Sequence, residues 1–152
     1  MTEKPLPAII VDTQEKRPFT FEKYPELIIK SAKLKTGDYS VEGLEDRVVV
    51  ERKSKEDAYG CVGSDRDRFE RCLARMSKFH RAVIVIECSF EEFAITPAYV
   101  ERIDAQTAIH SFISWHCQYG VAPVWPGSRA WAERYTVRFL GSYVKHMIEG
   151  KR

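Results

Sequence analysis

Two short strings hold the residues best suited to chemistry, Gly37-Asp38-Tyr39 and Val50-Glu51-Arg52-Lys53-Ser54. The stretch Gly43 to Asp46 between them has turn composition, and the β-branched residues on either side predict strands over Gly37 to Val41 and Val48 to Lys53. A hairpin turn centred between Leu44 and Glu45 puts Asp38 opposite Glu51. Directly opposed side chains lie roughly 4.5 to 5.5 Å apart, and two like charges at that range are destabilising unless a cation intervenes. A divalent metal is the natural compensator. An all-oxygen set suits Mg²⁺ or Mn²⁺, and the lack of organised His and Cys disfavours zinc. Residues two apart on a strand share a face, so Lys53 stands beside Glu51. Carboxylates of this kind hold a metal that activates water and neutralises phosphate charge, while the lysine orients the water or meets developing charge. Asp12, at the end of an earlier strand, is a third candidate ligand, and Glu15 a weaker fourth.

An acid at the start of one strand and Glu-x-Lys on its neighbour match the PD-(D/E)xK nuclease pattern. Glu-x-Lys alone is common on surface strands, but the longer string is specific. Gly37-Asp38-Tyr39, Val50-Glu51-Arg52-Lys53, Asp57 and the Arg68-Phe69 pair on the next helix resemble the XPF-type structure-specific endonucleases, with their GDY and VERKxxxD motifs. The resemblance runs from about Ile9 to Glu87 and departs from the pattern at Gln14 and Cys72. It implies Asp12, Asp38 and Glu51 as metal ligands and Lys53 as the catalytic lysine, with Glu15, Asp57 and Arg68 in support. It also implies a restriction-endonuclease-like core and a single nuclease domain over 1–152. No helix-hairpin-helix DNA-binding module follows, so a stand-alone form is expected. The implied activity is metal-dependent cleavage of branched DNA or of single-strand/duplex junctions. The alternatives are a four-way-junction resolvase, an end-processing nuclease of the same chemistry, or a silent DNA-binding subunit. Retention of Asp38, Glu51 and Lys53 favours an enzyme.

These residues need a scaffold. Ala8 to Val11 and Ser31 to Lys35 read as strands ahead of the hairpin, and Ser54 with Asp57 three residues on predicts a capped helix through Cys61. Gly63 and Ser64 break it. From Asp65 to Phe79 the apolar residues Phe69, Cys72, Leu73, Met76 and Phe79 keep helical spacing. The run Ala82 to Glu87 predicts a buried strand, and a helical stretch from about Pro97, interrupted near Asp104, continues to Tyr119. Ala122 to Trp125 is a last strand, and Ser128 to Ile148 a terminal helix stopped by Gly150. This order predicts an α/β fold, a mixed central β-sheet flanked by helices on both faces.

The 152 residues, 44% hydrophobic and 30% charged, fit one globular domain and exclude disorder and fibrous repeats. No apolar run approaches bilayer length and Met1 to Pro7 has no apolar leader, so a soluble, unsecreted protein is expected: cytoplasmic, nucleoid-associated, or nuclear in a eukaryote. Cys61, Cys72, Cys88 and Cys117 form no CxxC pair and read as buried free thiols. A net charge of +2 says little, but Arg52 to Arg81 holds nine Lys/Arg against five Asp/Glu. Beside a phosphodiesterase site, Arg52, Arg68, Arg71, Arg75 and Lys78 are therefore read as DNA contacts. Trp115, Trp125 and Trp131 read as core or interface. The late aromatics, Trp115, Tyr119, Trp131, Tyr135, Phe139 and Tyr143, either cover the sheet or build a homodimer through the later helices, as the resemblance implies.

Overall fold

The computed structural model describes residues 6–100 and 102–150, the side chain of Glu149 apart. Glu101, inside one expected helix, and Met1 to Pro5, inside the expected leaderless start, lie outside the described residues. Six strands, β1 (Ile9–Asp12), β2 (Ile29–Ala32), β3 (Tyr39–Val41), β4 (Val48–Lys53), β5 (Arg81–Ile86) and β6 (Ala122–Val124), form one sheet in the order β2-β1-β3-β4-β5-β6. The β1–β3 and β3–β4 pairs are antiparallel, and β1–β2, β4–β5 and β5–β6 are parallel. The helices are α1 (Lys55–Val62), α2 (Arg66–Met76), α3 (Phe90–Phe93), α4 (Ala105–Tyr119) and α5 (Arg129–Tyr143), which runs on as a π-helical segment, Val144–Glu149.

Strand periodicity sorts the core into two layers. Val49, Ile84 and Ile86 face α1, α2, α3 and α4, packing on Tyr59, Phe69, Leu73, Phe93, Phe112 and Trp115. Val48, Val50, Val83 and Val85 point the other way, onto Ala132 and Leu140 of α5 and onto Phe19 and Phe21 of the β1–β2 loop. Both faces of the central strands are covered, so their sequences are continuously apolar rather than alternating. The expected mixed sheet with helices on both faces is the observed fold.

Several boundaries differ from expectation. Strand β2 lies two residues early, because it is defined by pairing with β1, Ile9 to Ile29 through Asp12 to Ala32, and not by burial; all four of its residues are exposed. Among the described residues from Pro97 to Asp104 there is no helix. Asp104 is extended and caps α4 by accepting from Thr107 N at 2.8 Å, while Ala105 N–H donates to Thr96 Oγ1 at 2.9 Å. Helix α3 is an addition to the expected elements, and Ser89 and Glu92 form a reciprocal capping box at its start. Helix α1 has the expected cap, with Asp57 N–H donating to Ser54 Oγ at 3.1 Å.

Candidate active site

The hairpin has the register set by a turn between Leu44 and Glu45, with Tyr39 facing Val50. Since Val50 and Tyr39 belong to the α5 layer and Val49 to the opposite one, Glu51 and Lys53 project toward α1 and α2. Asp38 is fixed just ahead of β3. Its N–H donates to the Val50 carbonyl at 2.9 Å, and its Oδ2 accepts the Arg52 N–H at 2.8 Å. Asp12 is stitched to the same place, its N–H donating to the Asp38 carbonyl at 2.8 Å while its Oδ1 accepts Leu34 N–H at 2.8 Å. The preceding glycine is required: Gly37 has φ +85°, and a Cβ there would sit 1.9 Å from Val49 Cγ2.

These side chains line a cleft of about 470 Å³ between the sheet and α2, whose walls include Asp12, Asp38, Glu51, Lys53, Arg68 and Arg75. Glu51, 9% exposed, is at its floor. Burial raises the Asp38 carboxyl well above the ordinary carboxylate range, and the neighbouring Glu51 charge raises it further. Burial raises Glu51 too, while Lys53 and the hydrogen bond from Asp38 pull it back, so the two carboxyls resist ionising together. Burial works most strongly against the Lys53 charge, but Glu51, Cys61, Asp38 and Asp57 together outweigh it and raise the lysine pKa, with Nζ 5.4 Å from the Phe69 ring centroid. Burial pushes the Cys61 and Cys72 thiols of the cleft wall up to about 11, so neither is a nucleophile at neutral pH.

The donor set fits a hard divalent cation: two neighbouring carboxyls, Asp38 half-buried and Glu51 buried, whose charges oppose each other, with Lys53 alongside. Asp38 and Glu51 are the pair that would hold it. Among the described residues no three His, Cys, Asp or Glu side chains form a ready-made metal cage. Asp12 reaches the cleft with one of its oxygens already engaged by Leu34.

Arg52 is elsewhere. Strand alternation turns it to the opposite face, 8% exposed, where Glu15 takes its Nε and Nη2 hydrogens at 2.8 and 2.9 Å and Glu87 stands 3.3 Å from Nη1. The expected DNA contact at Arg52 is corrected accordingly: the guanidinium is consumed by a buried ion pair. Glu15 consequently serves β4 from behind and is no cleft ligand. Its carboxyl is opposed by burial but lowered by the Arg52 hydrogen bonds, so it is ionised. The network extends to α5, where Arg129 donates to Glu87 Oε1 at 2.9 Å and to the carbonyls of Arg17 and Pro18 at 2.7 and 2.8 Å.

Of the remaining expected residues, Asp57 is exposed in the first turn of α1 and is not among those lining the cleft. Arg68 lines it, with Asp65 at 3.3 Å, as does Arg75, whereas Arg71 is exposed on α2 and Lys78 just beyond it. Lys35 and Gln14 also reach the cleft, and nothing local in the sequence links Lys35 to the acids. Trp115 is core at 1% exposure, but Trp131 on α5 is 56% exposed. Not every cysteine is buried; Cys72 is half-buried and Cys117 exposed. No helix among the described residues is long and apolar enough to cross a membrane.

The fold is similar to that of XPF from Aeropyrum pernix, with a TM-score of 0.71 at 18% identity, covering 96% of this chain and 64% of that one. A structure of XPF from Aeropyrum pernix in complex with DNA superposes with a TM-score of 0.65 at 16% identity, covering 91% of this chain and 65% of that one. The chain therefore spans slightly less than two thirds of those solved chains. No curated protein matches it by sequence. The ERCC4 domain family matches residues 11–121, well over half the length. By that match over most of its length, the chain belongs to the ERCC4 domain family.

Proposed function

We propose that the chain is a Mg²⁺- or Mn²⁺-dependent DNA endonuclease that hydrolyses a phosphodiester at branched DNA or at a duplex to single-strand junction. The carrying observation is half-buried Asp38 next to buried Glu51, beside cationic Lys53, in an open cleft with Arg68 and Arg75 on its wall. Asp38 and Glu51 would hold the metal, with Asp12 on the same side of the cleft. When bound, the metal supplies an activated water and a counter-charge for the phosphate.

The chain's own residues do the rest. The Arg52 N–H fixes one oxygen of Asp38, so the carboxylate needs no reorganisation to receive a cation. Lys53 donates hydrogen bonds to the attacking water or to the phosphoryl oxygen on which charge develops. Arg68 and Arg75, with Arg71 and Lys78 along the same helix and its end, bind flanking phosphates and so position the strand without reading its sequence. Glu15, through Arg52, holds β4 so that Glu51 and Lys53 keep their places.

The exposed Trp131, next to Tyr135 and Phe139, which pack half-buried on the core with ring centroids 6.1 Å apart, suits a homodimer contact on α5. Incubating the protein with labelled duplex, single-strand, flap, fork and four-way DNA in Mg²⁺, Mn²⁺ or chelator tests the function. Metal-dependent cutting of flap or fork supports it; preferential symmetric cutting of four-way DNA favours a resolvase, and binding without cutting favours a silent subunit.

A further inference from the structure

Helix α5 opens on a cation, Arg129, in the turn where the helix dipole disfavours positive charge, so its contacts have to account for its place. Its Nη1 donates to Glu87 Oε1 at 2.9 Å and its Nη2 to the carbonyls of Arg17 and Pro18 at 2.7 and 2.8 Å, while the guanidinium lies 5.0 Å from the Phe19 ring centroid. One helical turn on, and so on the same side of α5, Glu133 Oε2 accepts the Phe21 N–H at 3.0 Å. Phe21 has φ +56°, a left-handed conformation that a bulky side chain rarely adopts and that persists only where the surroundings hold it. Arg129 and Glu133 thus clamp the β1–β2 loop at Arg17, Pro18 and Phe21.

The clamped loop lands on the residues that flank the acid pair. Phe19 stacks on Tyr39 with ring centroids 5.0 Å apart, and its N–H donates to the Tyr39 hydroxyl at 2.9 Å; Phe21 meets the same ring edge-on at 6.0 Å. Tyr39 is the residue after Asp38. Earlier in the loop, Glu15 holds the Arg52 guanidinium, and the Arg52 N–H in turn holds Asp38. Glu87, the acid that Arg129 grips, stands 3.3 Å from Arg52 Nη1. Two routes therefore run from α5 to one carboxylate, through Phe19 and Tyr39 and through Glu87 and Arg52. Covering the core needs only the apolar rings of Phe19 and Phe21, whereas a strained Phe21 and hydrogen bonds to three backbone groups fix the loop's position. We propose that Arg129 and Glu133 are positioning residues, which fix the Asp38 carboxyl from behind the sheet without lining the cleft. The inference rests on the nuclease reading of the cleft and adds two residues to it.

The test compares wild type with Arg129→Ala, Glu133→Ala and Glu133→Gln, the last because a glutamine oxygen still accepts the Phe21 N–H. In metal-free protein, hydrogen exchange of the Arg52 amide is followed by NMR against the Ile84 and Val85 amides of the core. Exchange about tenfold faster at Arg52 alone is expected in both alanine variants, with Glu133→Gln close to wild type. Equal acceleration at all three amides, or none, would overturn the proposal, since a merely structural role loosens the core as a whole. On labelled flap or fork DNA with Mg²⁺, kcat is expected to fall about tenfold in the alanine variants with KM unchanged, and to recover in Glu133→Gln. A change in KM alone, or no change, overturns it. If Arg129→Ala does not fold, the two Glu133 variants decide. If the wild type cuts no DNA but the Arg52 amide responds, the clamp stands and the nuclease reading fails. Cutting by a wild type whose Arg52 amide is indifferent to the alanine variants overturns the clamp and leaves the nuclease reading standing.

Discussion

The Asp38 carboxylate accepts the backbone N–H of Arg52 at 2.8 Å, a bond that lands between Glu51 and Lys53 on the neighbouring strand. One acid is thereby tied to the main chain that carries the other acid and the lysine. Asp38→Asn keeps an acceptor for that N–H and removes the charge, whereas Asp38→Ala leaves the N–H unpaired, at a cost of about 1–3 kcal/mol. Asp38→Asn should therefore be inactive yet at least as stable as wild type in metal-free buffer at neutral pH, and Asp38→Ala less stable than Asp38→Asn. Urea unfolding of the three proteins measures this.

The raised Asp38 and Glu51 carboxyls give stability a definite pH dependence. Below the unfolded carboxylate pKa, about 4, both states are protonated and the pair costs nothing. As pH rises past it, the unfolded chain releases protons that the folded pair retains, so stability falls until the folded groups titrate. Metal-free protein should lose stability from about pH 4 upward, and saturating Mg²⁺ or Asp38→Asn should flatten that slope. A profile unaffected by both would contradict the assignment of the pair.

Behind the sheet, Glu15 and Arg52 form a buried two-bond pair at 2.8 and 2.9 Å. Removing one partner leaves a buried charge, so Glu15→Gln or Arg52→Met should destabilise by roughly 3–5 kcal/mol. Because the folded Glu15 pKa is lowered, its contribution is present above the unfolded value and disappears as pH falls through the folded one. DNA affinity of the folded fraction should be almost unchanged, which anisotropy under native conditions checks; a large, salt-dependent loss of affinity would restore Arg52 as a phosphate contact.

Lys53 is assigned to the chemical step, since its cation would repel a metal but meets developing phosphate charge. Lys53→Ala should lose about 10²–10³ in turnover with DNA binding intact. Losses of equal size in binding and turnover would reduce it to a phosphate contact.

If α5 makes a homodimer, light scattering at micromolar concentration should give twice the 17.6 kDa chain mass, and Trp131→Glu should halve it. A monomeric mass with and without DNA would contradict the dimer.

What is legible in the sequence follows physical signal strength. The continuous apolar strings of β4 and β5 and the helical spacing of Phe69, Leu73 and Met76 report burial directly, so these elements stand where expected to within a few residues. The hairpin register is available from the turn alone. Strand β2 is hard to place because an exposed edge strand has no burial period to read. Arg52 groups with the DNA-facing cations only by its neighbours in the motif, since the two-residue strand period already sets it on the face opposite Glu51 and Lys53. The capping box at Ser89 and Glu92 is a readable signal for α3. Lys35 has none, since only the Asp12 to Leu34 bond brings its loop to the cleft.

The central claim is that Asp38 and Glu51 form a metal-dependent phosphodiesterase site. Its most direct test is cleavage of a labelled flap or fork by wild-type protein and Glu51→Gln, in Mg²⁺ or Mn²⁺ and in excess chelator. Cutting by wild type only with metal, and by Glu51→Gln in neither condition while it still binds DNA, is the predicted result. Full activity in chelator, or wild-type rates from Glu51→Gln, would contradict the account.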